Sequence, residues 1–364
     1  MRSPSPGLRW IYILGLAGLA FYAADRIAAS SPARAVESDV LRASRLMDRA
    51  VRALAPCAAE RGVAVDPATD LNRTGLIGRA SSPITTSPGQ IEAKRTAANP
   101  NFAGCLVRML GRAGVRKGEA VAIGASSSFP ALILATLSAV RTIGARPVMI
   151  SSLGASNWGA NDPAFTQLEI LDCLRAAGIL DVRPAALAVG GENDDGSDMP
   201  AEGRDFLLEK IRAAGLPVIE AGDLESDVLA RMAVYEAGAA GARIAAFVNI
   251  GGSWANMGVD SSVLKLEPGL TEVADIPPAG KRGVIQEMAS RGVPVIHLLF
   301  VKGLAERCGL PWDPVPLPAP GEGGADSGPS RPRGIPLILM SAYVLLSVVG
   351  LVGLAFRGRI IDIG

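Results

Sequence analysis

Short apolar runs alternate with amphipathic stretches along most of this chain. Runs at Ala120–Gly124, Pro147–Ser151, Ala185–Val189, Leu216–Ile219, Arg243–Ile250 and Val293–Leu299 read as buried strands, too short for helices and bounded by turn residues. Helical patterns lie between them, near 101–113, 129–143, 163–177, 202–214, 224–240 and 280–291. Helix after helix ends at a glycine just before a strand (Gly114, Gly144, Gly178, Gly215, Gly241 and Gly292), where a left-handed residue closes the last turn. Asp162–Pro163 is expected to open a helix, with an acid at the N-cap and a proline in the first turn. Strands and helices alternating at this length predict an α/β fold: a doubly wound, mainly parallel sheet of about six strands with helices on both faces.

The two ends follow a different pattern. Leu8–Ala24 is apolar apart from Arg9 at its edge and would reach about 26 Å as a helix; Ile335–Phe356 carries no charge and would reach about 33 Å. Both are expected to be transmembrane helices. Arg2 and Arg9 before the first, with Arg357 and Arg359 after the second, place the short tails 1–7 and 357–364 in the cytoplasm and everything between outside it. Ala33-Arg34-Ala35 offers an alternative reading of the first run as a cleaved signal peptide, which would export the same region. After the first span, residues 25–100 are expected to dock on the domain as an amphipathic helix, Val36–Glu60, followed by a long loop from Arg61 to Asn101. The α/β domain then occupies 101–312, and a Pro/Gly-rich linker over 313–334 leads to the second span over 335–356.

Composition narrows the function classes. Lys plus Arg number 36 and Asp plus Glu 35, so the chain lacks the positive field that nucleic acid would need. The hydrophobic share of 49% and mean hydropathy of +0.30 owe much to the terminal runs. The four cysteines Cys57, Cys105, Cys173 and Cys308 allow three pairings or none; their spacing gives no zinc site, and Cys57 with Cys105, both in expected helices, is the favoured pair.

In an open parallel sheet, ligands bind beyond the carboxyl ends of the strands, so the chemistry is sought in the loops there. The first carries Ser126, Ser127 and Ser128 at a helix start, read as anion ligands or as candidate nucleophiles, with ordinary N-capping as the plainer alternative. The loop after the second strand carries Asn157, Trp158 and Asn161. The one around the fifth carries Asn249, Ser253, Trp254 and Asn256. Their shared Gly, Ser, Asn and Trp content suggests a pseudo-symmetric cleft, with apolar anchoring by the tryptophans as the alternative. Asp194, Asp195 and Asp198 form an acidic turn, either solvated or able to hold a hard cation. Lys94–Arg95 adds a small basic patch to the long loop. The single histidine, His297, lies inside the last strand and reads as a core residue. GxGxxG, GxxxxGK[ST] and GxSxG are all absent, so no nucleotide cofactor is expected and a hydrolase lacks its commonest signature.

Several segments together resemble the poly-gamma-glutamate system protein family: Asn72-Arg73-Thr74-Gly75-Leu76-Ile77-Gly78, Ile84-Thr85-Thr86, Ala93-Lys94-Arg95-Thr96, Asn99-Pro100-Asn101-Phe102, Ser156-Asn157-Trp158-Gly159-Ala160-Asn161, Asn249-Ile250-Gly251-Gly252, and Val293 to Leu299 with Lys302-Gly303-Leu304. The resemblance implies a role in making, exporting or trimming an envelope or capsule polymer of γ-linked glutamate, beside membrane-bound synthesis proteins. It brings no assignment of catalytic residues. Three readings therefore stand: an accessory subunit that binds the anionic polymer, a serine-dependent amide hydrolase or transferase acting on it, or an extracytoplasmic solute-binding domain.

Overall fold

The computed structural model describes Leu16, Gly18, Leu19, residues 32–220 and residues 222–322. The chain divides into two units, one of Ser38–Asp326 and one of Met1–Glu37 with Ser327–Gly364; the architecture below is that of the first. Among the described residues no helix is long and apolar enough to cross a membrane. Both expected spans, 8–24 and 335–356, fall outside the described residues except at Leu16, Gly18 and Leu19.

The elements in chain order are α1 (Pro32–Glu60), α2 (Ile91–Ala97), α3 (Asn101–Arg112), β1 (Ala120–Ser126), α4 (Pro130–Ile143), β2 (Arg146–Ser152), α5 (Gln167–Ala176), β3 (Ala186–Ala188), α6 (Ala201–Ala214), α7 (Leu224–Ala239), β4 (Ile244–Ile250), α8 (Trp254–Met257), β5 (Gly269–Thr271), α9 (Val284–Ser290), β6 (Val295–Leu298) and α10 (Val301–Cys308). The strands form one six-stranded sheet in the order β3-β2-β1-β4-β6-β5. Every pairing is parallel except β5 with β6. Two successive crossovers carry the chain outward from β1 through β2 to β3, and it then returns to β4 on the other flank of β1. The strand order therefore reverses between β1 and β4, which is where such a sheet opens a crevice at its carboxyl edge.

Strand alternation divides the core. Val121, Ile123 and Ala125 of β1 join Met149 and Val248 in a cluster with α1, α3, α4, α5 and α10. Ala120 and Ala122 join Val148, Ile150 and Phe247 in a second cluster with α7 and α9. A period of two sends successive side chains to opposite faces, so helices cover both, as expected. A third, smaller cluster packs α6 against Leu187 and Val189 at the β3 edge. On α1, Ala43, Met47, Ala50 and Leu54 recur on one face and are fully buried, which docks that helix on the domain. All six helix-closing glycines have positive φ.

Some expectations are corrected. Leu216–Ile219 is not a ladder strand: Val218 makes an isolated parallel bridge to Leu187. The sixth strand is instead β5, three residues on the antiparallel edge. Asp162–Pro163 does not start a helix. Thr166 does, its Oγ1 accepting from Leu168 N while Glu169 accepts from Thr166 N and Oγ1, a capping box that leaves Asp162 free to pair with Arg79. The long loop contains α2, and Ala33–Ala35 lies inside α1.

The start of the expected linker belongs to the fold. Asp313 takes a two-pronged contact from Arg95 at 2.7 and 2.5 Å, Asn72 Nδ2 donates to Pro314 O at 2.9 Å, and Asn101 Nδ2 donates to the carbonyls of Ala319 and Glu322.

Cys57 does not pair with Cys105. The disulfides are Cys57–Cys173, joining α1 to α5, and Cys105–Cys308, joining α3 to α10. Proximity in sequence misleads here because Cys57 and Cys105 sit on different helices, each facing a partner supplied much later in the chain. The bonds close separations of 116 and 203 residues. Replacing Cys105 and Cys308 together by Ala is expected to cost about 2–4 kcal/mol through the added freedom of the unfolded chain. A denaturant midpoint equal to wild type would show that the bond constrains nothing.

Candidate functional site

β1 and β2 end in register, Ser126 opposite Ser152, and the chain beyond β4 turns at Gly251 directly against them. Gly251 has φ of 83°, and a Cβ there would stand 2.9 Å from Ser126 Cβ, so both its conformation and its closeness call for glycine. The loops after β1, β2 and β4 thus meet at the switch point.

The three serines after β1 have separate tasks. Ser127 is buried, and its hydroxyl donates to Ser152 O at 2.6 Å, which ties β1 to β2 and removes it as a nucleophile. Ser126 Oγ donates to Ser128 Oγ at 3.0 Å, and Ser128 Oγ also accepts from Ser156 N at 3.0 Å. This chain of bonds presents Ser156, in the loop after β2, to α2.

Lys94 of α2 completes the arrangement. Its side chain is buried, only 4% exposed, and Nζ donates to Ser128 O at 2.5 Å and contacts Ser156 Oγ at 2.8 Å. Nζ also stands 3.6 Å from the centroid of the Phe129 ring, on whose face a cation is stabilised. Among the described residues no carboxylate pairs with it. With no carboxylate to offset it, burial pushes Lys94 from 10.5 down to about 7. In its neutral form the amine can keep one N–H on Ser128 O and turn its lone pair toward the Ser156 hydroxyl. Gly89 closes over the pair: a Cβ there would meet Asn157 O at 2.6 Å and Ser156 Oγ at 3.1 Å, so only a glycine lets residues 87–89 lie this close.

The shift makes stability depend on pH. Between about pH 7 and 10.5 the folded chain has released the Lys94 proton while the unfolded chain retains it. Stability therefore rises with pH across that window, by about 1.4 kcal/mol per unit. Lys94→Met is expected to remove this slope from denaturation curves taken at pH 7.5 to 9.5. Equal slopes in the two proteins would mean that the amine is solvated and charged.

Other expected ligands do not reach this place. Arg95 is committed to Asp313, so Lys94–Arg95 is not a basic patch; successive helix positions send the two side chains to different neighbours. Asn161 is fully buried, receives Arg79 N at 2.8 Å on Oδ1 and donates to Arg79 O and Thr85 Oγ1 at 2.9 Å each, which fastens the 79–85 loop. Asn157 Nδ2 donates to Ala80 O. Asn249 Nδ2 bonds Gly251 O at 2.8 Å and His297 Nδ1 at 3.0 Å. Burial pushes His297 down to about 4, so it is a neutral core residue across the physiological range. Asn256 packs under Gly124 of β1. Among the described residues, the buried Oδ1 atoms of Asn249 and Asn256, and Ser253 Oγ, have no hydrogen-bond partner.

The tryptophan loops do not form a symmetric cleft: Trp254 packs on the second core cluster, whereas Trp158 lines a separate cleft of about 510 Å³ with Phe165 and Ile170. The acidic turn is split between core and solvent: Asp194 is buried, Asp195 half-buried and Asp198 exposed. Asp194 is buried and ion-paired to Arg231, which also bonds Asp227 Oδ1 at 2.8 Å. Asp195 accepts from Ser197 N at 2.8 Å, and Asp198 lies against Gly191. Among the described residues no three His, Cys, Asp or Glu side chains could hold a metal together.

Ser156 is the residue that sequence reasoning passed over. Its signals were its place in the loop after β2 and in the Ser156–Asn161 segment of the resemblance, and three consecutive serines after β1 were the more conspicuous pattern. No protein-family model, curated protein or solved structure matches this chain.

Proposed function

We propose that this protein is an extracytoplasmic, membrane-held amide hydrolase or transferase that acts on a γ-linked glutamate polymer, with Ser156 as nucleophile and Lys94 as its base. The observation that carries the reading is the 2.8 Å contact between Ser156 Oγ and a buried Lys94 with no carboxylate partner among the described residues. A serine hydroxyl is a weak nucleophile until a positioned base takes its proton, and a base titrating near the working pH does this best. Lys94 Nζ removes the Ser156 proton as Oγ attacks the amide carbonyl. The tetrahedral species expels the amine, which takes that proton from Lys94, and leaves an ester on Ser156. Water, or the amine of a second chain, then attacks the ester with Lys94 again as base. Water gives a shortened chain; an amine re-forms the amide.

Two disulfides support the placement outside the cytoplasm, since such bonds persist in oxidising compartments. The bilayer attachment rests on the two terminal apolar runs, and the identity of the polymer and of its membrane synthesis partners rests on the family resemblance. A second reading, an accessory subunit that binds the polymer without cutting it, draws on the same Lys94, because a polymer carboxylate would supply the counter-charge it lacks.

Chain length separates the two. Full-length protein incubated with γ-linked polyglutamate is expected to change its length distribution, Ser127→Ala is expected to retain that activity, and Ser156→Ala to lose it. Binding with no change of length in the wild type would leave the accessory reading alone.

A further inference from the structure

The cleft of about 510 Å³ beside Trp158 is separate from the Ser156–Lys94 pair, although Trp158 follows Ser156 by two residues, within about 7 Å along the backbone. Its volume is in the usual range for a small-molecule site. Its lining is mixed: Leu76, Trp158 and Phe165 are apolar, and Arg79, Asp162 and Asp66 bring charge. Trp158 has φ of 64°, an uncommon conformation for a bulky residue, and Gly78 N on the facing strand of chain donates to its carbonyl at 3.2 Å. The loop thus holds an aromatic ring in the cleft at a backbone cost.

The charges decide what fits. Arg79 gives only Nε to Asp162, at 2.6 Å; its side chain is 61% exposed, and its two Nη groups make no hydrogen bond among the described residues. Those groups form a fork suited to a carboxylate. Asp162 and Asp66 stand in the same cleft, each oxygen taking one donor (Ala164 N and Arg79 Nε on Asp162, Ala68 N and Thr69 Oγ1 on Asp66) and keeping a second lone pair for a ligand. A plain anion would meet two carboxylates beside one guanidinium. A group bearing both an ammonium and a carboxylate satisfies both signs, and its methylenes suit the apolar part of the lining.

We infer that this cleft binds a zwitterionic α-amino acid head, which on the reading above is the free amino end of a γ-linked glutamate chain, or free glutamate. The ammonium meets the Asp162–Asp66 side, the α-carboxylate meets the Arg79 fork, and the side-chain methylenes lie along Trp158.

Calorimetric titration of the full-length Ser156→Ala protein, in detergent, tests this without turnover. γ-Linked triglutamate is expected to bind, Arg79→Met on that background to weaken it at least about 10-fold, and N-acetylation of the peptide to weaken it similarly. Binding of free glutamate as tight as that of the peptide would assign the cleft to the single amino acid; weaker binding would assign it to the chain end. Equal binding of acetylated and free peptide, indifference to Arg79→Met, or no binding would overturn the inference. Binding as expected in a protein that never alters chain length would remove the catalytic reading and keep the cleft; turnover with a KM unmoved by Arg79→Met would do the reverse.

Discussion

Arg231→Met is expected to destabilise the protein by about 3–5 kcal/mol at neutral pH. Arg231 is 1% exposed on α7 and bridges Asp227, one turn earlier on the same helix, to Asp194 from the turn after β3. Removing it leaves two buried carboxylates facing one another with no cation. Burial and the nearby Asp227 already push Asp194 upward against the pull of Arg231, so without the guanidinium at least one acid must hold a proton in the folded state. The unfolded chain binds that proton only near its ordinary acidic range, so the variant's own stability should rise as pH falls from 7 toward 5. Denaturant midpoints at pH 7 and pH 5 measure it. Asp194→Asn with Asp227→Asn on the Arg231→Met background should recover most of the loss, because no buried charge then remains. A small loss for the single variant, independent of pH, would mean that the triad is hydrated.

The second large effect is on activity. Lys94→Met is expected to lower the rate of chain-length change about 10²–10⁴-fold, the usual contribution of a positioned base, and Ser156→Ala to bring it to background. In the wild type the rate should rise with pH through about 7, where Lys94 loses its proton, and that inflection should vanish in Lys94→Met. Loss of rate with the inflection intact would assign it to another group.

The layered architecture was legible because its signals are local. Apolar runs of strand length and glycines at helix ends depend on neighbouring residues, and they located β1, β2, β3, β4 and β6. β5 was not legible: Gly269–Thr271 is three residues long and follows Pro268, and only pairing with β6 makes it a strand. Leu216–Ile219 failed for the opposite reason, since the apolar content suits a strand but its pairing with β3 stops at one bridge, made through Pro217 O and Ile219 N on either side of Val218.

At the rim, the serines most conspicuous in the sequence are the ones committed to internal hydrogen bonds. Ser127 is spent on Ser152 O, and Ser126 and Ser128 support the backbone of Ser156. Lys94 and Arg95 looked alike as neighbours in a basic dipeptide. What separates them is tertiary: one is buried over the Phe129 ring, and the other forks onto Asp313, 218 residues away. The disulfide pairs were hidden in the same way, because each joins helices brought together only by the folded sheet.

The most direct measurement is covalent labelling of Ser156. The full-length protein, treated with a serine-reactive acylating or phosphonylating probe across pH 5.5 to 9, is expected to carry one adduct, mapped by mass spectrometry to Ser156. The labelling rate should climb through about pH 7 and fall by at least about 10²-fold in Lys94→Met. No adduct, an adduct on another serine, or a Ser156 adduct indifferent to Lys94 would contradict a nucleophile activated by that lysine.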